Sequence, residues 1–118
     1  NWFAANHRSY PDEFAATIKL CKQNDIAIQT IKSVARGPWA AGMTQKYNTW
    51  YQPLEDEDSI RKAVLFVLST PGLFLNSAGD IEILRLTLRA AENLDYKPTV
   101  SEMREMNERT GLSSIFGL

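Results

Sequence analysis

Apolar residues recur at helical spacing in four stretches of the chain. In the first, Phe14, Ile18 and Cys21 stand at positions i, i+4 and i+7 and so share one face. An S-x-x-D capping pattern begins at Ser9, and Pro11 suits the first helical turn because its missing N–H is not needed there. The spacing therefore predicts an amphipathic helix, with Cys21 packed in the core.

The second helical stretch follows four consecutive acidic residues at 55–58, whose charges suit the positive end of a helix. The same run resembles a metal site, but a solvated first turn is the simpler interpretation. Pro71-Gly72 ends the stretch. The predicted buried stripe comprises Ile60, Ala63, Val64, Val67 and Leu68.

Two further helices are predicted from their start and stop signals. Either Ser77 with Asp80 three residues on, or Asp80 alone, can cap the third helix. Thr99-x-x-Glu102 is a capping box for a fourth helix over Val100 to Arg109, which Gly111 ends. The expected buried residues are Ile81, Leu84, Leu88 and Ala91 in the third helix and Met103 and Met106 in the fourth, with Ile115, Phe116 and Leu118 of the tail packed against the body.

Two short apolar runs without helical spacing are predicted strands, Ile26 to Val34 and Leu73 to Asn76. The first run does not alternate cleanly with polar residues, which is typical of a parallel strand covered on both faces. Asn1 to Tyr10 begins with aromatic and small residues, which is typical of the end of a strand and its loop. The aromatic-rich stretch 40–53 is a predicted loop, whose Tyr47, Trp50 and Tyr51 are expected to pack against the body rather than line a ligand cleft.

Composition excludes several classes of function. Thirteen basic and fourteen acidic residues give a net charge of −1, so there is no basic excess for nucleic acid or anionic lipid. No apolar run approaches the roughly 18 residues of a membrane span. Cys21 is the only cysteine, which excludes an internal disulfide and predicts a reducing, cytoplasmic location. The start at Asn1, without methionine or a signal-like sequence, predicts that the chain is a fragment.

Lys32 is the informative residue of the first predicted strand. An unpaired ammonium is costly to bury, so its side chain either reaches water at the strand end or meets a carboxylate or phosphate. Ser33, Arg36 and Gly37 follow it, a grouping that could hold an anion. His7, the only histidine, has no partner for a metal or catalytic role and is expected in an exposed loop.

The segments QTIKSVARGPW (29–39) and NTWYQPLEDEDSIRKAVLFVLSTPGLFLNSAGD (48–80) resemble the C-terminal part of bacterial aldo-keto reductases. Members of that family are (β/α)8 barrels that reduce aldehydes and ketones with NADPH. The resemblance extends over roughly residues 1–93. It implies that 26–34 is the seventh barrel strand, 73–76 the eighth, and 1–5 the end of the sixth.

The resemblance implies an α/β fold class: a C-terminal fragment of a (β/α)8 TIM barrel, predominantly helical, with two or three short parallel strands. Residues 1–118 would form a single partial domain with a C-terminal helix and tail at 97–118. Such barrels need about 250 residues and carry their site at the carboxyl ends of the strands. The family's catalytic Tyr, Lys, Asp and His lie on earlier strands, so no residue here is assigned to catalysis.

The family binds its dinucleotide with the loops after strands seven and eight. The resemblance therefore implies NADP(H) or NAD(H) in the intact parent, with none bound tightly by this fragment. The implied cofactor contacts are Lys32, Ser33, Arg36, Ser77 and Gly79.

Three functions are compatible with these residues. The first is the C-terminal segment of an NAD(P)H-dependent aldo-keto reductase that acts on small carbonyl compounds and is inactive alone. The second is a small helical protein-interaction module derived from the barrel, and the third is an anion or nucleotide binder using Lys32, Ser33 and Arg36. Two open-edged parallel strands and the apolar helix faces predict that the fragment self-associates or rearranges into a mostly helical body.

Overall fold

The computed structural model describes residues 1–7 and 9–116 and confirms the α/β class. The helices of this described part are α1 (Trp2–Ala5), α2 (Tyr10–Gln23), α3 (Glu57–Leu68), α4 (Ile81–Glu92) and α5 (Val100–Thr110). The strands are β1 (Ile28–Thr30), β2 (Ala35–Pro38), β3 (Tyr51–Pro53) and β4 (Leu73–Leu75).

The strands form two separate pairs. β1 and β4 are parallel, with Ile28 opposite Leu73, and α3 precedes β4 in the connection between them. β2 and β3 are antiparallel, with an irregularity between Ala35 and Gly37. The two predicted strands that form the parallel pair are therefore present, whereas the β2–β3 pair was missed because the stretch 40–53 was interpreted as a loop.

The single strand predicted over 26–34 is wrong in extent. It is interrupted at Lys32, whose φ of 60° lies in the left-handed region and cannot continue an extended strand. Before β1, the Ile26 N–H donates to the Cys21 carbonyl at 2.9 Å, which keeps Ile26 in the turn that ends α2. The extended segment is thereby reduced to three residues.

The prediction that the first strand is covered on both faces is also wrong. Ile28 and Thr30 are half-buried and Gln29 is exposed, so the strand alternates between a covered and an open face. In β4, Phe74 is 60% exposed between half-buried neighbours. Helix α3 packs on β4. The other face stays open in the described part of the chain.

The amino-terminal segment is helical, so the strand end predicted at Asn1 to Ala5 is wrong. The Asn1 side chain accepts a hydrogen bond from the Ala4 N–H at 3.0 Å and caps α1. A second bond from Asn1 Nδ2 to the Ala35 carbonyl, at 2.9 Å, holds this turn against β2. Local capping therefore decides the conformation of these residues.

The core lies between α3, α4 and α5. The predicted α3 stripe is confirmed, except that Leu68 is only half-buried, and Met103 and Met106 of α5 are each 1% exposed as expected. Cys21 was expected in the core but is half-buried, since α2 has no buried residue. The buried cluster comprises Val34, Leu54, Ile60, Ala63, Val64, Ala78, Ile83, Ala90, Met103, Met106 and Leu112.

The buried face of α4 differs from the prediction. Ile83, Thr87 and Ala90 are buried, whereas Ile81 is 60% and Leu88 56% exposed. The sequence IEILRLTLRAAE carries apolar residues on two overlapping faces, and helical spacing alone does not choose between them. Packing against α3 makes the choice and leaves an exposed apolar stripe.

Three of the four capping predictions are confirmed. Asp80 caps α4, Thr99 and Glu102 form a reciprocal capping box at α5, and Gly111 ends α5 with a φ of 65°. Ser9 makes no side-chain cap bond because its backbone is already in the helical region, whereas a capping residue is normally extended.

The tail after α5 lies against β2. The Ser113 N–H donates to the Arg36 carbonyl at 2.8 Å, and Ile115 is half-buried. Phe116, which was expected to be packed, is 67% exposed. Leu118, the last residue of the predicted apolar end, lies outside the described residues. Across residues 1–7 and 9–116, no helix is both long and apolar enough to span a bilayer.

Candidate functional site

The segments predicted to bind the cofactor begin where β1 and β4 end. Because the two strands are parallel, their carboxyl ends lie at the same end of the sheet. The Asn76 N–H donates to the Thr30 carbonyl at 2.9 Å, which joins the two segments directly after the last paired residues. The structure therefore brings 31–33 and 76–80 to one end of the sheet.

Lys32 occupies this end with an unusual backbone. A non-glycine residue in the left-handed region typically costs about 1 kcal/mol or more. The Lys32 ammonium lies 4.9 Å from the centre of the Trp50 ring and 5.2 Å from that of Phe116. Among the described residues it has no carboxylate partner. Its charge is thus stabilised by ring faces and remains available to an anion.

Ser33 is the second predicted contact and lies beneath the surface. It is 6% exposed and lines a groove between α2, α3 and β1. Its hydroxyl makes no hydrogen bond within the part of the chain that the structure describes. Lys32 and Ser33 are adjacent, but the lysine reaches the Trp50 side and the serine lines the groove.

The Arg36 side chain does not join Lys32 and Ser33 at the end of the sheet. Its Nε donates to the Thr110 carbonyl at 2.7 Å, so the guanidinium is held at the carboxyl end of α5. This carbonyl belongs to the last turn of a helix, where a cation is favourable. The interaction separates Arg36 from the two residues that precede β2.

The N-terminus of α4 is occupied by an acidic side chain of the protein. Asp80 Oδ1 accepts from the backbone N–H groups of Glu82 and Ile83 at 3.0 and 3.2 Å, and Oδ2 accepts from the Asn48 N–H at 2.9 Å. Three backbone hydrogen bonds hold the pKa of Asp80 below its usual value: the bond from Asn48 contributes most, and those from Ile83 and Glu82 contribute less. A phosphate at this helix end would meet that negative charge.

Ser77 and Gly79 precede this cap. Ser77 is exposed and makes no side-chain hydrogen bond within the described residues. The Gly79 carbonyl accepts from Asn48 Nδ2 at 3.1 Å, and an added Cβ would meet the Asn48 carbonyl at 3.7 Å, which is ordinary contact. A larger residue would therefore fit at position 79. Ser77 and Gly79 both lie beside the negatively charged Asp80 cap.

Trp50 is the site residue that sequence reasoning missed. It was expected to pack against the body but is 58% exposed, and its ring meets Tyr51 edge-on at 5.6 Å. Tyr51 itself is buried, and this burial raises the pKa of its phenol. Successive side chains alternate between the two faces of an extended chain. Because Tyr51 at the start of β3 points inward, the preceding Trp50 points outward, and this alternation could have predicted its exposure.

His7 does not join the site. It is half-buried rather than exposed, and its ring lies 5.0 Å from that of Phe3 across one turn. Within the described ranges there is no group of three or more histidine, cysteine, aspartate or glutamate residues arranged to hold a metal ion. The site therefore consists of a lysine, two exposed rings and a buried serine at one end of a parallel pair.

Comparisons with known proteins add no relative to this picture. No family model, curated protein or solved structure matches the chain. The functional conclusion therefore depends on the resemblance of short segments and on the positions of the residues they contain.

Proposed function

We propose that this chain is the C-terminal segment of a cytoplasmic NAD(P)H-dependent aldo-keto reductase of the (β/α)8 class. In this role it supplies cofactor-binding loops to the barrel, lacks the catalytic tetrad and is inactive alone. The observation that carries the proposal is the parallel pairing of β1 with β4. Helix α3 precedes β4 in the connection, which is the order that the resemblance implies for the seventh and eighth strands.

The residues fit an anionic cofactor at one of the two expected places. At the end of β1, the Lys32 ammonium has no carboxylate partner in the described chain and can bind a phosphate oxygen, whereas the buried Ser33 hydroxyl lines the groove. At the N-terminus of α4, the Asp80 carboxylate already takes the backbone donors. Dinucleotide binding by this segment is therefore centred on Lys32 and is weak without the rest of the barrel.

Activity distinguishes the segment from its parent. We expect carbonyl reduction by the intact parent and none by residues 1–118, because the acid–base groups lie on strands that this segment lacks. Both chains are assayed with NADPH and with NADH over a panel of small aldehydes and ketones. Turnover by the segment near the parent's rate, or no reduction by the parent, would contradict the proposal.

Cofactor contact is tested separately in the parent. Lys32→Gln is expected to raise the KM for the dinucleotide because it removes an ammonium that can pair with phosphate. Lys46→Gln is the matched control, since Lys46 also lies 4.9 Å from an aromatic ring but is paired with Glu55 at 2.7 Å. An equal change in KM for the two variants would show that Lys32 makes no specific contact.

A second function, a small protein-interaction module, is favoured by one observation. Ile81 and Leu88 lie two turns apart on α4 and both are more than half exposed, as is Phe74 on the open sheet face. Exposed apolar surface of this kind promotes association. A compact monomer at high concentration, with both strand pairs intact, would argue against the predicted self-association through this surface.

A further inference from the structure

The C-terminal tail after α5 is fixed on β2 before it reaches the candidate site. Leu112 is buried in the core, and the Ser113 N–H donates to the Arg36 carbonyl at 2.8 Å. The Ser113 carbonyl accepts from Asn1 Nδ2 at 3.1 Å. A Cβ added at Gly37 would lie 2.3 Å from Ser113 Oγ, so the tail lies directly against the strand. These contacts fix the direction in which the following residues leave β2.

The anchored tail places the Phe116 ring against the Lys32 side chain. The centre of this ring is 5.2 Å from Lys32 Nζ. Trp50, directly before β3, contacts the same ammonium at 4.9 Å. The two ring centres are 6.4 Å apart and the ring planes are tilted by 51°. The ammonium therefore contacts two rings at once, and these rings come from segments that are distant in the chain.

Burial does not account for the position of these rings. Phe116 is 67% and Trp50 58% exposed, so each ring gains little from the removal of apolar surface from water. The face of an aromatic ring attracts a cation, and at an exposed site this attraction changes an equilibrium by about two- to fivefold. The partner that the two rings share is the Lys32 ammonium.

The two ring contacts restrict the lysine side chain, and this restriction favours anion binding. A free lysine side chain has many rotamers and loses this freedom when it binds a ligand. A side chain that is already held in place loses less, and such preorganisation strengthens binding. The ammonium of Lys32 has three N–H donors, and none of them bonds to a described oxygen or nitrogen atom. These donors therefore remain available to an anion.

We propose that Phe116 and Trp50 are positioning residues for the Lys32 ammonium, so that the tail anchored on β2 completes the anion site. The rings hold the ammonium where it meets a phosphate of the cofactor, and they make no contact with the phosphate themselves. The inference rests on the proposed function, which supplies the identity of the anion. It adds two residues that the resemblance does not assign to cofactor binding.

The first test examines the ring contacts in the unaltered whole chain. Protons that lie over an aromatic ring are shifted upfield in NMR spectra. The side-chain ε-CH₂ signals of Lys32 are recorded in protein labelled with ¹³C-lysine and are assigned by their loss in Lys32→Gln. We expect an upfield shift of these signals, and Phe116→Ala and Trp50→Ala should each reduce it.

The second test measures anion binding, with inorganic pyrophosphate as the probe. Its Kd is determined from backbone amide signals in an NMR titration. Phe116→Ala is expected to raise this Kd about two- to fivefold, and Phe116→Tyr, which keeps the ring face, should not. In the Lys32→Gln background, Phe116→Ala should cause no further rise, because a residue that acts through Lys32 has no effect without it.

Phe74→Ala is the matched control for the loss of an exposed ring. Phe74 is 60% exposed, and no cation lies over its ring within the described residues. Its replacement should leave both the Lys32 signals and the Kd for pyrophosphate unchanged. An equal rise in Kd for Phe74→Ala and Phe116→Ala would show that the tail ring has no specific role.

Four further results would overturn the proposal. They are Lys32 signals without an upfield shift in the unaltered protein, no binding of pyrophosphate, an unchanged Kd for Phe116→Ala, and an equal rise in Kd when Lys32→Gln is already present. The first two use the unaltered protein and remain decisive if a variant does not fold. Carbonyl reduction by the parent is a separate measurement, and its absence would refute the reductase function whatever the Kd values are.

Discussion

Asp80 joins two segments at the N-terminus of α4, and its removal is expected to weaken both. Its bonds to the Glu82 and Ile83 N–H groups satisfy backbone donors that have no partner within the helix. Its bond to the Asn48 N–H ties the connection between β2 and β3 to α4. Asp80→Ala therefore removes a helix cap and a tertiary hydrogen bond in one substitution.

The expected loss follows from these two parts. A capping side chain contributes about 0.5–2 kcal/mol, and the Asn48 bond at an exposed site adds about 1 kcal/mol. Asp80→Ala should lower the free energy of unfolding by about 1.5–3 kcal/mol in total. Asp80→Asn should cost less, because asparagine caps helices about as well as aspartate.

The stabilisation also depends on pH. The hydrogen bonds lower the pKa of Asp80 in the folded state, so folding favours the ionised carboxylate. The contribution is fully present above the unfolded pKa of about 3.9 and is lost as the pH falls through the lowered folded pKa. The difference between wild type and Asp80→Ala should therefore shrink only in that acid range.

Urea denaturation followed by circular dichroism measures these effects, at pH 7 and in steps to about pH 3, where the unfolded carboxyl is protonated. Ser77→Ala is the control, since Ser77 is exposed in the same connection and should change little. A loss below about 0.5 kcal/mol for Asp80→Ala at pH 7, the lower limit for a cap, would refute the reasoning.

Three further substitutions test the packing of the helices. Met106→Ala, at 1% exposure in the core, is expected to lower the free energy of unfolding by about 2–5 kcal/mol in urea denaturation. Arg109→Ala should lower the free energy of unfolding by about 1 kcal/mol, because Arg109 Nη2 donates to the buried Ser59 Oγ at 2.9 Å. An equal loss of stability for Arg104→Ala, at an exposed position of the same helix, would contradict this. Leu88→Lys should reduce self-association through the exposed α4 stripe in sedimentation velocity, and an unchanged mass distribution would place the contact elsewhere.

The candidate site could be predicted from the sequence only in part. Lys32 and Ser33 lie in the last three residues of the strand predicted over 26–34, so their place near its carboxyl end was foreseeable. The position of Arg36 was not, because its partner Thr110 is 74 residues away in the chain. The exposure of Trp50 and its contact with Lys32 likewise depend on how β3 pairs with β2.

The sequence by itself determined the features that depend on near neighbours. The Asp80 cap, the Thr99–Glu102 capping box and the left-handed Gly111 each involve residues within four positions of one another, so local residue types suffice. Tertiary structure decided which face of α4 is buried and how the chain divides between β1 and β2. Those outcomes depend on competition between alternative contacts distant in sequence, whose energies the local pattern does not contain.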